Sequence, residues 1–343
     1  MLNNSEHKGH AIALYSGGLD SALAIILILR QNIKVTALNF MTHFGCDIND
    51  KSSCSSDPFS AAEKFGFTVK LVHLGQKFIE MVKSPEHGYG RNMNPCIDCR
   101  IMMLKEARDF MNLVGADFVV TGEVVSQRPM SQHIPQLKLV EKVSGLKGRL
   151  VRPLSAKILP PTEPELKGLI NREQMEGIAG RSRKRQMQLA RQFGLDDYPS
   201  PAAGCLLTDV GYSRRLRDLL RYTLDVDYND LNLLRVGRHF RLGDKTKLVV
   251  GRMEAENDKI ESLARSGDYL FEALDTGSPI VLMRGPANDI NIKTAAAITA
   301  RYCDLKYSAR VEITYFMIGE DKQQEQTITI APAAETTLEN LRL

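Results

Sequence analysis

No apolar run in the 343 residues approaches the roughly 18 needed to cross a bilayer, and the most apolar stretch, 22–29, is short and lies between polar segments. The first ten residues are polar and lack the hydrophobic region of a signal peptide. Cysteine is scarce: six residues are too few for a disulfide scaffold in a chain of this size. Charge is nearly balanced, with 45 Lys and Arg against 41 Asp and Glu. The resulting net charge of +4 neither demands nor excludes nucleic acid. These absences predict a cytoplasmic protein with no membrane partner. Its cysteines suit metal or redox chemistry, since two of them form a C-x-x-C. A composition 43% apolar and 25% charged excludes a disordered chain, and the length suits about two domains.

What is present is a rhythm of strand and helix. Residues 11–15 (AIALY) form a short apolar run, and an apolar helical stretch follows over 20–30. Further strands are expected over 34–40, 68–74 and 117–121, with helices over 60–65 and 99–113. The second of these helices has helical spacing at Met102, Met103, Ala107, Phe110 and Met111. Alternation of this kind argues for a parallel sheet covered on both faces, with ligands beyond the carboxyl ends of its strands. After about residue 136 the rhythm is lost. Residues 141–191 hold twelve Lys and Arg against five Glu, with no Asp. From about residue 230 short strands, a helix near 292–303 and a β-type pair predict a smaller α+β domain. The expected divisions are 1–210, a linker over 211–231, a second domain over 232–330 and a loosely held tail over 331–343. Neither an internal repeat nor a low-complexity tract is found.

Ser16-Gly17-Gly18-Leu19-Asp20-Ser21 lies directly after a strand and opens a helix. Glycines let successive N–H groups approach an anion, and the helix start adds unpaired donors and positive dipole. Ser16 and Ser21 can donate hydroxyls to phosphate oxygens, and Asp20 can cap the helix or help hold Mg²⁺. A glycine turn capped by Asp20 is the bland alternative. The segment lacks Gly-Lys-Ser/Thr, so it is no ordinary P-loop. It resembles the SGGxDS signature of the PP-loop ATP pyrophosphatases. Thr121-Gly122-Glu123, then Gln127 and Ser131-Gln132, resembles the TGE…GQ…SQ stretch of the tRNA 4-thiouridine synthetases, although Arg128-Pro129 interrupts it. Cys96-Ile97-Asp98-Cys99-Arg100-Ile101-Met102-Met103 is similar to the C-x-x-C-R-x-x-M helix start of cluster-bearing members. The resemblance spans 10–210. It implies a HUP-type α/β fold, ATP as cofactor, and adenine held near Phe40, Met41 and Gly122. The expected nucleotide-binding set is Ser16, Gly17, Gly18, Asp20, Ser21, Phe40, Met41, Gly122 and Gln127. The chain departs from the family in lacking a THUMP-sized N-terminal extension and a rhodanese-like region with a persulfide loop.

A helix start favours thiolates at Cys96 and Cys99, and Cys205 follows the small-residue loop Pro201-Ala202-Ala203-Gly204. Three thiolates can hold three irons of a [4Fe–4S] cluster and leave the fourth open, the use that the related thiolases imply. Three alternatives stay open. Cys205 carries a persulfide beside a redox pair, or the cysteines hold structural zinc with His87 or His133, or they are inert core. Cys46 and Cys54 are left out of the site, and Cys303 is expected in the core.

Arg181, Arg183, Lys184 and Arg185 would appear over about one helical turn, and Arg214, Arg215, Arg217 and Arg221 follow. A phosphate backbone suits both groups; a solvated face or a clamp on the nucleotide is the alternative. Val250-Gly251-Arg252-Met253-Glu254-Ala255-Glu256-Asn257-Asp258, with Gly277-Ser278-Pro279 and Ala295-Ala296-Ala297, resembles the NFACT-R RNA-binding domain over 232–317. That likeness offers His239, Arg252 and Arg284 as phosphate contacts, or else a docking domain without RNA. The expectation is an ATP-dependent tRNA sulfurtransferase, forming AMP and pyrophosphate, with Asp20, Cys99 and Cys205 catalytic. Its sulfur donor would be sulfide or a cysteine desulfurase, and the sequence allows a homodimer. The rivals are a PP-loop enzyme using ammonia or an amine, and a nucleotide-regulated RNA-binding protein without catalysis.

Overall fold

Apolar residues on both sides of one strand require cover on both sides, and that requirement organises the first half of the chain. The computed structural model describes residues 7–45, 57, 59–198, 205–319 and 325–343. Cys46, Cys54 and Pro201 to Gly204 lie outside them. Two compact units result, Met1–Thr208 and Asp209–Leu343.

In the first unit, β1 (Gly9–Leu14) leads to α1 (Leu19–Leu29), β2 (Ile33–Met41), α2 (Ser60–Phe65) and β3 (Thr68–His73). Then come α3 (Gly75–Lys83), α4 (Cys96–Val114), β4 (Phe118–Thr121), α5 (Ile134–Val143), β5 (Leu150–Val151), α6 (Glu163–Leu166) and α7 (Lys184–Phe193). The strands pair in parallel in the order β3-β2-β1-β4-β5. Ala11 and Ala13 join the core with Leu23 of α1 and Leu189 of α7; Ile12 and Leu14 join the opposite core with Leu104 and Met111 of α4 and Val140 of α5. The helix α1 is apolar nearly all round because nine of its eleven residues are buried. Truncating Leu23, wholly buried, to Ala would cost about 2–5 kcal/mol. The sheet grows from β1 toward β3 and then resumes on the other side with β4. The crevice at that reversal lies beyond the carboxyl ends of β1 and β4, where the glycine loop and Gly122 follow.

In the second unit, α8 (Val210–Tyr222) and α9 (Tyr228–Leu233) precede β6 (Arg238–Gly243), β7 (Thr246–Val250), α10 (Glu254–Ser262), β8 (Tyr269–Ala273) and β9 (Val281–Arg284). The chain then forms α11 (Asp289–Tyr302), β10 (Val311–Met317), β11 (Gln326–Ile330) and α12 (Glu335–Leu341). This antiparallel sheet runs β11-β10-β8-β9-β7-β6. Ala295, Ala296 and Ile298 of α11 pack with Phe240, Leu248 and Met283; Leu233 and Ile260 pack with Val249 and Leu282, whose side chains alternate with the first set.

Two sequence expectations need correction. The span taken as a linker is helical, because Tyr212, Leu216, Leu219 and Leu231 have helical spacing and are buried. The span taken as a loose tail contains α12, fixed by the buried Leu338. Its signal is weak in sequence because so few apolar residues carry it. Cys303 is in the core, as expected.

Candidate functional site

The loop after β1 is shaped by its own polar groups. Gly17 has φ +74°, a left-handed conformation suited to glycine, and Gly18 is extended as the N-cap of α1. The first-turn amides have no acceptor within the helix, and Gly18 has no side chain to cap them. The Ser21 hydroxyl donates to the Gly18 carbonyl at 2.8 Å, accepts from the Ser16 amide at 3.3 Å and meets Ser16 Oγ at 3.2 Å. Ser21 is buried and its proton points inward. It therefore sets the loop's curvature rather than offering a phosphate donor, and the backbone amides remain as the anion cradle.

Gly122 permits this loop to exist. A Cβ there would stand 2.6 Å from both the Asp20 carbonyl carbon and the Ser21 nitrogen, a distance no side chain tolerates. The close approach brings the loop after β4 against the first turn of α1. Gln127 then donates from Nε2 to Asp20 Oδ2 at 3.0 Å. The other carboxylate oxygen, Asp20 Oδ1, is buried with no hydrogen-bond partner. A buried carboxylate oxygen without a donor suits a cation, and Mg²⁺ commonly takes one or two carboxylates together with phosphate oxygens. Phe40 and Met41 end β2 and are half-buried, with Phe40 leaning on the α4 side of the sheet.

Glu123, beside Gly122, ties this loop to the cysteine helix. Its carboxylate meets Arg100 Nε at 3.2 Å and Arg152 Nε at 3.0 Å, and accepts from Thr121 Oγ1 at 3.1 Å. Burial pushes the Glu123 carboxyl up, but Arg100, Arg152 and these hydrogen bonds outweigh it and hold it below the usual carboxylate range. Arg152 continues to Glu141 Oε2 at 3.0 Å and to the Leu137 carbonyl. In the sequence Thr121-Gly122-Glu123 and Arg100 belong to separate motifs with nothing local to join them. Arg152 carried no local signal.

Cys96 and Cys99 occupy the first turn of α4, and the Cys99 amide donates to Pro95 O at 2.9 Å. Cys205 returns to them from more than a hundred residues away. The Leu206 amide donates to Phe44 O at 3.0 Å, the Met93 amide to Leu207 O at 3.0 Å, and Asn92 Nδ2 to Thr208 O at 2.7 Å. Cys205 Sγ itself donates to Phe44 O at 3.4 Å. All three cysteines are partly buried, free of disulfides and within one another's electrostatic reach.

The thiolate expectation is reversed in this state. Burial pushes the Cys99 thiol up to about 12 despite Arg100, with Cys205 and Cys96 adding to the rise. Burial likewise takes Cys205 up to about 11 and raises Cys96, against Arg128 and Arg100. Desolvation overcomes the helix terminus, so ligation would have to release protons.

Single-zinc geometry does not suit these sulfurs. Tetrahedral Zn–S bonds of about 2.3 Å place sulfurs about 3.8 Å apart. Among the described residues, the ligand set drawn within 4.8 Å is Glu86, His87 and Asp98, with no cysteine in it. His87 turns instead to Asp98, with Nδ1 and Oδ1 at 2.8 Å, and His133 is the exposed N-cap of α5. What the site offers is three soft thiols in mutual electrostatic reach, the donor type that suits iron, and a cluster asks each of them to hold a different iron.

The basic residues divide. Arg185 is held by Glu176 through Nε at 2.9 Å and Nη2 at 2.7 Å. Arg181 and Lys184 are exposed, and Arg183 is half-buried with an unpartnered Nε. In the second unit Arg252 is chelated by Glu256. Arg284 binds Asp268 and Asp230, and His239 is buried with Nε2 on Val236 O at 2.8 Å. The expectation that Arg284 and His239 meet phosphate is therefore corrected: the fold consumes both. Gly251 also has a structural cause, since a Cβ there would sit 2.0 Å from Asn257 Oδ1, which accepts from the Ile280 amide.

Residues 6–157 match the family model described as thiamine biosynthesis protein (ThiI), and residues 237–342 match the NFACT protein RNA binding domain. The tRNA-specific 2-thiouridylase MnmA of Chlorobaculum tepidum is 35% identical over 120 residues, covering 33% of this chain and 32% of that protein. The enzyme of the same name from Polynucleobacter asymbioticus is 30% identical over 149 residues, covering 41% and 40%. The chain thus spans about a third to two fifths of the length of these curated relatives. A solved 4-thiouridine synthetase–RNA complex with bound ATP is 19% identical, with a TM-score of 0.35, over 55% of this chain and 52% of that one.

Proposed function

We propose that this chain is an ATP-dependent tRNA sulfurtransferase whose sulfur chemistry takes place at Cys96, Cys99 and Cys205. The observation that carries the reading is one crevice-side assembly. An anion cradle with an unpartnered Asp20 oxygen is linked through Gly122, Glu123 and Arg100 to the helix turn of Cys96 and Cys99, where the distant Cys205 joins them.

The amides at Gly18 and the start of α1 would hold the ATP phosphates, and Asp20 would direct Mg²⁺, which screens the departing pyrophosphate. A nucleobase carbonyl oxygen then attacks the α-phosphorus, which turns a poor leaving oxygen into AMP. Gln127 keeps Asp20 aimed, and Phe40 and Met41 offer an apolar edge to adenine. Cys96, Cys99 and Cys205 would hold a [4Fe–4S] cluster, which supplies an open iron position for inorganic sulfur. Arg100 and Arg128 place positive charge beside Cys96 and favour an anionic sulfur there. The buried thiols are poor free nucleophiles, which weighs against a Cys205 persulfide working alone. The second unit's matched domain supports RNA as the acceptor.

The test is anaerobic reconstitution with iron and sulfide, followed by ATP and unmodified tRNA, with nucleosides resolved by mass spectrometry. The expected result is iron–sulfur absorption and an ATP-dependent thionucleoside, both lost in Cys99→Ser. ATP cleavage with no sulfur entering RNA would overturn it.

A further inference from the structure

Five of the thirteen arginines in the second unit answer to a carboxylate among the described residues. Arg241 binds Asp218, Arg252 binds Glu256, Arg265 binds Asp227 and Asp230, Arg284 binds Asp268 and Asp230, and Arg301 binds Glu335. Helix α8 differs in gathering several of the others on one face. Arg214, Arg217 and Arg221 lie three and four residues apart, so they line one face over two turns, a span of about 10 Å. All three are exposed, and none has a carboxylate partner among the described residues. The single acidic residue of the helix, Asp218, is already taken by Arg241.

Two of the three side chains are held in place without loss of charge. Arg214 Nη2 donates to the Arg342 carbonyl at 2.6 Å, and the Arg221 guanidinium lies 5.4 Å from the Tyr222 ring centroid. Pre-ordered guanidiniums lose less freedom on binding an anion than free ones do. A row of them on one helix face suits a polyanion with regular charge spacing better than a single small anion. This face also lies outside residues 237–342, the span matched by the RNA-binding family model.

We infer that the exposed arginine row of α8, Arg214, Arg217 and Arg221, is a docking surface for the phosphodiester backbone of RNA. The inference rests on the reading of tRNA as substrate and adds to it a surface. The arginines first suggested by motif, Arg252 and Arg284, serve the fold, whereas the uncompensated row meets the ligand. Such contacts position the RNA and carry no base information.

The test uses the full chain and an unmodified tRNA transcript, with the dissociation constant measured over a salt series. Arg217→Gln with Arg221→Gln should weaken binding about tenfold and reduce the slope of log K against log salt by about two, one for each lost phosphate contact. Arg301→Gln, which removes a paired arginine, should leave the slope unchanged. An unchanged slope in the double variant, with wild-type binding intact, overturns the α8 surface and spares the tRNA reading. Wild-type protein that fails to bind tRNA overturns both. An equal loss in Arg301→Gln means a general charge effect and removes the assignment. If the double variant keeps its tRNA affinity and loses anionic lipid vesicles instead, the row faces a membrane and the RNA surface is refuted.

Discussion

Asp20 in the first unit and Asp230 in the second both hold carboxylate oxygens away from water, but their surroundings differ. Asp230 receives Arg284 at 2.8 Å and Arg265 at 3.3 Å, while Asp268 and Asp218 are each gripped by an arginine. Asp20 receives one amide from Gln127, and its second oxygen is left with nothing. The first unit also holds three partly buried thiols at raised pKa. Satisfied buried charge builds architecture, and its removal costs stability. Unsatisfied buried polarity costs stability while it is present, and it persists where a ligand completes it.

The largest expected effect tests the architectural side within the first unit. Glu123→Gln leaves Arg152 buried and Arg100 without its anion, and should lower the unfolding free energy by about 3–5 kcal/mol in a denaturant titration. A loss below about 1 kcal/mol would mean that water replaces the carboxylate and that the network is dispensable. Gly122→Ala comes next. The added carbon forces the Asp20–Ser21 peptide aside, and a shift near 1 Å should weaken ATP binding about a hundredfold by calorimetry. Retained affinity would show that the cradle does not hold ATP.

Lys247 sharpens the contrast from the second unit. It lies in β7 opposite Arg241 and Arg284, both of which have carboxylates of their own. Burial, with Arg241 and Arg215 adding, brings Lys247 down to about 7 from 10.5, against Asp218 and Asp230. Folding therefore releases its proton between about pH 7 and 10.5, where the unfolded chain binds more protons, and stability rises with pH across that window. Lys247→Met should stabilise the protein by about 1–3 kcal/mol at pH 6 and flatten the rise, as read from melting midpoints against pH. An unaltered pH profile would contradict this placement of the lysine. The smallest effect has two signs. Asp20→Asn should stabilise the protein by about 1 kcal/mol while weakening Mg·ATP binding, since a neutral amide tolerates the empty position. If affinity and melting point rise together, Asp20 is not where the cation sits.

Much of this was legible in the residue order, because local chemistry specifies it. Alternating Ala11, Ile12, Ala13 and Leu14 announce a strand buried on both faces, and the glycine pair followed by an apolar helix announces the anion loop. The C-x-x-C was visible at once, whereas the approach of Cys205 depends on backbone bonds to Phe44 and Met93 that no periodicity encodes. Long-range burial was equally hidden. It reverses the expected thiolate character of Cys99 and withdraws His239 and Arg284 from solvent, although their letters read as ligand contacts. Strand β8 and helix α3 carry weaker signals: β8 is only five residues long, and α3 buries only Phe78, Ile79 and Val82.

Gln127 and Arg128 are consecutive, and they face different chemistries. The first touches Asp20 of the glycine loop, and the second lies in electrostatic reach of Cys96. One peptide unit, about 3.8 Å between α-carbons, therefore separates the two. Ser126 at φ +61° and the buried Gln132, bonded to the Arg128 amide at 3.1 Å, stiffen this stretch at both ends. A short linkage thus joins the carboxylate of the glycine loop to the charge beside the cysteines. Any movement of the Asp20 carboxylate that Gln127 follows is felt one residue away, at the positive charge beside Cys96, without crossing the sheet.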